Sequence, residues 1–131
     1  MSATSHSLRL LIVEDHHDTA MLLSTLLELR GHEVEVAENV EDALRLAGQQ
    51  QFDLVVSDVG LPDASGYDLM RQLREQMPIR GIAISGRGGP DDIKRSRDAG
   101  FSEHLTKPVG LKKLEQAIGR VIGESRSPAT G

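Results

Sequence analysis

Apolar positions along this chain come in short runs whose period switches between that of a strand and that of a helix. Leu8 to Val13 (LRLLIV) is a nearly continuous apolar run, which predicts a strand covered on both faces. Ala20, Leu23 and Leu27 then keep helical spacing, and Arg30-Gly31 supplies a basic last turn and a C-capping glycine. HEVEVAE alternates at Val34 and Val36, the pattern of a strand near a sheet edge with one wet face. Asn39 is placed to cap a second helix carrying Val40, Ala43, Leu44 and Ala47 on one face. DLVVS reads as a third strand; Met70, Leu73 and Met77 mark a third helix that Pro78 stops. IRGIAIS is a fourth strand, followed by the loop GRGGP and a weakly patterned helix from Ile93 to Ala99. FSEHL is a short fifth strand, and Leu114, Ala117, Ile118, Val121 and Ile122 form the clearest helical stripe in the chain. Five strands alternating with five helices predict an α/β domain with a parallel sheet and right-handed crossovers.

The ends, residues 1–7 and 124–131, read as frayed tails around one domain at 8–123. A length of 131 residues leaves little room for a second domain, and an aromatic content of 2% means that Leu, Ile, Val, Ala and Met must build the core. The absence of cysteine excludes disulfides and thiolate zinc sites. No apolar run approaches the roughly 20 residues that span a bilayer, and MSATSHSLR lacks a signal-peptide layout, so the expected location is cytoplasmic. A net charge of -5 argues against a nucleic-acid partner.

Ligands of open α/β sheets sit beyond the carboxyl ends of the strands, near the point where strand order reverses. Strand one ends on Glu14-Asp15, strand three on Asp58, strand four on Ser85 and strand five on Thr106-Lys107-Pro108. The intervals, 43 residues from Asp15 to Asp58, 27 to Ser85 and 22 to Lys107, fit two crossovers and then one each. If the strand order is 2-1-3-4-5, strands one and three are neighbours and their terminal carboxylates meet. Three acids at one rim repel, and a hard divalent cation is the usual remedy.

These residues resemble the receiver domains of bacterial two-component response regulators. Five motifs carry the resemblance, in order and over about Leu8 to Gly123: VED, SDVGLPDASG, ISG, AGF and LTKPV. It implies a flavodoxin-like (βα)5 three-layer sandwich and a phosphorylation switch. Asp58 would accept a phosphoryl group from a phosphohistidine. Asp15, Asp58 and the Gly60 carbonyl would hold Mg²⁺, with Mn²⁺ as a substitute, and Glu14 would act through metal-bound water. Ser85 and Lys107 would contact the phosphoryl group, and the Lys107-Pro108 peptide would be cis.

Three positions depart from the commonest pattern: the acidic pair is Glu14-Asp15, Gly86 follows Ser85 where alanine is usual, and His104 stands where Tyr or Phe moves inward on activation. The histidine likens the chain to receivers of hybrid sensor kinases. The implied partner is thus a histidine kinase or phosphotransfer protein, including the kinase core of a longer chain. No DNA-binding domain follows in this sequence, and helix four, strand five and helix five are the face through which such domains signal and dimerise.

Each residue also has a plainer reading. Asp58 could cap a turn, Glu14 and Asp15 a helix, Ser85 could be a turn residue, and Lys107 a solvated lysine; their joint register favours one shared site. His16 and His17 read as ordinary first-turn residues, because neighbours on a helix do not share a face. Lys94, Arg95 and Arg97 read as a solvated helix face. Three competing functions remain. A haloacid-dehalogenase-like phosphatase would want an aspartate where Gly60 stands. A flavin module would be repelled by the acidic EDHHD loop. A pseudo-receiver that binds partners without phosphorylation would not need the acidic pair, Asp58 and Lys107.

Overall fold

The computed structural model describes residues 7–126, with side chains described to residue 123. Elements alternate as the apolar periods require: β1 (Arg9–Val13), α1 (His17–Leu29), β2 (Glu33–Ala37), α2 (Val40–Gln49), β3 (Leu54–Asp58), α3 (Gly66–Gln76), β4 (Arg80–Ser85), α4 (Pro90–Ala99), β5 (Glu103–Thr106) and α5 (Leu111–Arg126). All strand pairs are parallel, in the order β2-β1-β3-β4-β5.

Strand alternation divides the core into two layers. Leu11, Val13, Val55 and Ala83 face α2 and α3 through Ala43, Ala47, Leu69, Met70 and Leu73. Leu10, Ile12, Leu54, Val56, Ile82 and Ile84 face α1 and α5 through Leu27, Leu114, Ala117, Ile118 and Val121. Because β1, β3 and β4 are buried on both faces, they read as continuous apolar runs, whereas edge strand β2 alternates exposed and partly buried residues. Helix ends follow local chemistry. The Asn39 side chain accepts the Asp42 N–H, and Ser65 does the same for Asp68. Gly31, just past α1, takes φ 96°, a left-handed conformation that its missing Cβ makes cheap.

Several strand ends shift by a residue from the sequence reading, and three further boundaries differ from it. Helix α4 starts at Pro90, before Ile93, because proline suits a first helical position; its pattern is faint because only Ser96 and Ala99 are buried. Strand β5 starts at Glu103, since Phe101 packs into the core and the Ser102 N–H turns to the Gly81 carbonyl before pairing begins. Helix α5 runs to Arg126, three residues into the segment assigned to the C-terminal tail. The remaining tail assignments, 1–6 and 127–131, lie outside the described residues.

Candidate functional site

Strand register brings the predicted residues to one rim. Val13 pairs with Ser57, so Glu14 and Asp58 are level at the ends of adjacent strands. Asp58 pairs with Ile84 and Ser85 with Thr106, which puts Ser85 one step beyond Asp58 and Lys107 one step beyond Ser85. The Lys107 N–H donates to the Ser85 carbonyl at 2.8 Å, and the Lys107-Pro108 peptide is cis, as the resemblance implied.

The central contact joins Lys107 Nζ to Asp58 Oδ2 at 2.9 Å. Asp58 is buried, at 6% exposure, so this ammonium is what makes its carboxylate tolerable at a strand end. Partial burial opposes charge on Lys107, but the hydrogen bond to Asp58 and the charges of Asp58, Glu14 and Asp15 outweigh it, raising the lysine above its ordinary pKa. One ammonium is thus shared electrostatically by three carboxylates. On the other side of Asp58, the Gly60 N–H approaches Oδ1 at a long 3.4 Å, leaving that oxygen weakly engaged.

The loop after β3 is tied down twice. The Gly66 N–H donates to the Val59 carbonyl at 2.8 Å, and a Cβ on Gly66 would strike the Asp58 carbonyl, so only glycine allows α3 to begin this close to the end of β3. Asp63 reaches across to α2, accepting the Val40 and Glu41 N–H groups at 2.9 and 3.0 Å. These backbone donors, Val40's first, hold Asp63 below the usual carboxylate range. Sequence reasoning missed this clamp, because nothing local in LPDASG says that the donor to Asp63 lies 23 residues away.

Glu14 and Asp15 do come together, yet among the described residues the group of ligand-type atoms within 4.8 Å of one another consists of Glu14, Asp15 and His16. Asp58 stands outside that group, held by Lys107. His16 also departs from its first-turn reading. It occupies the N-cap of α1, before the helix proper, and its Nδ1 lies 3.1 Å from Glu14 Oε2 and 3.6 Å from Asp15 Oδ1. The bond to Glu14, helped by both acidic charges, raises the His16 pKa. His17 turns away to Glu38 at 2.9 Å, which raises its pKa too.

Ser85 and His104 are linked through one residue, Arg87. The Arg87 N–H donates to Ser85 Oγ at 3.0 Å, and the Arg87 carbonyl lies 2.8 Å from His104 Nε2. A carbonyl can only accept, so Nε2 carries the proton, and in the neutral ring Nδ1 accepts from the buried Ser96 hydroxyl at 2.6 Å. His104 therefore bolts the β4–α4 loop to α4. A Cβ on Gly86 would meet nothing within 4 Å, in keeping with an open mouth beside Ser85. On α4, Lys94 pairs with Asp98 at 2.8 Å, and the Arg95 guanidinium sits 4.7 Å from the Tyr67 ring centroid.

The carboxylates of Glu14, Asp15 and Asp58 at the rim offer hard oxygen atoms, the kind of donor suited to Mg²⁺ or Mn²⁺. Among the described residues, no helix is long and apolar enough to cross a membrane.

Comparison with known proteins agrees with this geometry. The sequence matches the response regulator receiver domain family over residues 10–119. It is 34% identical over 130 residues to the virulence sensor protein BvgS of Bordetella pertussis, covering 93% of this chain and 10% of that protein. It is 36% identical over 108 residues to the KDP operon transcriptional regulatory protein KdpE of Escherichia coli, covering 82% and 48%. The chain thus spans at most about half the length of these curated relatives. The crystal structure of a CheY-like receiver domain protein from Methanospirillum hungatei superimposes with a TM-score of 0.85 at 28% identity, over 91% of this chain and 96% of that one. With its strand order, its rim of acids and lysine and its match over most of the sequence, this chain belongs to the response regulator receiver domains of two-component systems.

Proposed function

We propose that this receiver domain takes a phosphoryl group onto Asp58 from a phosphohistidine of a histidine kinase or phosphotransfer protein. The observation that carries this reading is a buried carboxylate held 2.9 Å from a lysine, level with an acidic pair at the sheet's carboxyl rim. In the transfer, an Asp58 oxygen bonds to phosphorus as the phosphorus–nitrogen bond breaks, and the electron pair returns to the donor imidazole. Such a step needs alignment and charge neutralisation more than covalent help from the protein. Oδ1 of Asp58 is the oxygen better placed to attack, since Oδ2 is held by Lys107. Asp15, Asp58 and the Gly60 carbonyl would hold Mg²⁺ or Mn²⁺, with Glu14 acting through bound water, and the ion would supply positive charge that offsets the entering group.

The added charge of roughly −1.5 to −2 also explains a switch. If the Ser85 hydroxyl turns to a phosphoryl oxygen, the Arg87 N–H loses its partner, and the strain passes through the Arg87 backbone to His104 and Ser96. The change is thereby delivered to α4, β5 and α5, the face offered for signalling or dimerisation. On this reading the domain regulates without turning over a substrate, apart from slow hydrolysis of its own acyl phosphate, and it works in the cytoplasm, alone or joined to a kinase core.

Incubation with acetyl phosphate and Mg²⁺ tests the proposal by intact-protein mass. The native chain gains the mass of one phosphoryl group, and Asp58→Asn gains none. Equal labelling of both would place the phosphoryl group on a residue other than Asp58, and no labelling of the native chain by acetyl phosphate or by any histidine kinase would leave a pseudo-receiver as the better description.

A further inference from the structure

The segment between β3 and α3 is a narrow hairpin. At its foot the Val59 N–H donates to the Ile84 carbonyl at 2.9 Å, and the Gly66 N–H donates to the Val59 carbonyl at 2.8 Å. One step further out, Gly60 and Ser65 face each other in an isolated antiparallel bridge, which leaves Asp63 near the tip. There both carboxylate oxygens are engaged, Oδ1 by the Val40 N–H at 2.9 Å and Oδ2 by the Glu41 N–H at 3.0 Å. Helix α2 already has a cap of its own, because Asn39 accepts the Asp42 N–H at 2.7 Å. Its dipole is answered as well, by Glu41 and Asp42 in the first turn. The element that gains most from Asp63 is therefore the hairpin. What the hairpin carries is Gly60, whose N–H faces Asp58 Oδ1 at 3.4 Å. Gly60 has no side chain to anchor it, and a Cβ there would meet nothing within 4 Å, so its place is set by the backbone on either side.

We propose that Asp63 is a positioning residue for phosphorylation: by fastening the hairpin tip to α2, it holds Gly60 against Asp58 Oδ1 in the geometry that phosphoryl transfer needs. The inference rests on reading Asp58 as the acceptor. Asp63 touches neither the acceptor nor the donor and acts only through the backbone of the hairpin. Transfer depends on alignment, and a displacement of about 1 Å in a positioned group lowers a rate by up to about a hundredfold. Releasing one tie of several displaces Gly60 by less, so the loss is smaller. Asn39 supplies the control, since it accepts from the same turn of α2 without holding the hairpin.

The test compares Asp63→Ala with Asn39→Ala. Labelling by acetyl phosphate with excess Mg²⁺ is timed by intact-protein mass, and urea midpoints are taken in parallel. The Gly60 amide is followed by NMR without Mg²⁺ or phosphodonor. The expected result is a fall of about tenfold in the labelling rate of Asp63→Ala, with a displaced Gly60 resonance. Asn39→Ala, although destabilised, should label within about twofold of the native rate and leave Gly60 in place. Asp63→Asn, which keeps one acceptor oxygen, should recover part of the rate. Native-rate labelling of Asp63→Ala, an unmoved Gly60 resonance, or an equal fall in Asn39→Ala would overturn the positioning role while leaving Asp58 as the acceptor. A native chain that takes no label would bring down the acceptor reading itself, and the inference with it.

Discussion

Lys107 is the residue on which the resting rim depends. It neutralises a buried Asp58 and is felt by Glu14 and Asp15 as well, so removing it leaves three acids around no fixed cation. Lys107→Met should therefore lose about 1–2 kcal/mol of stability at low salt, the lower part of the range for an orphaned buried acceptor, because the lysine side chain is 37% exposed. Millimolar Mg²⁺ should restore most of that loss in a urea titration. His32 makes a different prediction. Burial lowers its pKa, against the raising charge of Glu115, and its Nδ1 accepts the Leu8 N–H at 3.2 Å. A base whose folded pKa is depressed binds fewer protons folded than unfolded, so its contribution is intact above the ordinary histidine value and is lost as pH falls through it. His16 and His17, both raised, act with the opposite sign, favouring the fold at low pH and losing that contribution as pH rises through their raised values. The clean readout is thus a difference: stability measured from about pH 8 to pH 5 should fall less steeply in His32→Gln than in the native chain. At this scale Asp58, Lys107, Ser85 and the acidic pair were legible as candidates because each stands at the end of a predicted strand. The roles of Asp63 and His16 were not, since one acts on a helix distant in sequence and the other depends on a turn direction that no periodicity encodes.

Among the elements, the second βα unit shows how local signals and tertiary contacts share one task. Helix α2 receives its N-terminal acceptor from Asn39 within its own sequence and two further acceptors from Asp63 in the loop after β3. Asn39→Ala should cost about 1 kcal/mol, measured by chemical denaturation, with Asp63 limiting the fraying of the first turn. A loss well above that range would mean that the Asp63 bonds depend on Asn39. Elements with a wide apolar face, such as α5, were legible as helices from spacing alone. Helix α4 was faint for a physical reason: it buries only Ser96 and Ala99, and apart from Pro90 and Ile93 the rest of its surface is charged. A helix held by so little apolar contact, and bolted through Ser96 to His104, is the natural element for a switch to move. The start of β5 was misplaced because Phe101 is apolar for core packing and not for pairing.

For the whole molecule, alternation of strands and helices settled the class, but strand order had to come from resemblance, since burial on both faces tells β1, β3 and β4 apart from the edges without ordering them. That order places every charged rim residue at one end of the sheet. The central claim is that Asp58 is the acceptor and that filling its site moves the Ser85–Arg87–His104–Ser96 chain. With no tryptophan and a single tyrosine, the protein is poorly served by fluorescence, and amide NMR is the direct measurement. On adding beryllofluoride with Mg²⁺, the native chain should show shifts at Asp58, Ser85 and Arg87 that continue into His104 and Ser96, while Asp58→Asn shows none of them. Shifts of equal size in both proteins, or shifts that stop at Ser85, would contradict the account.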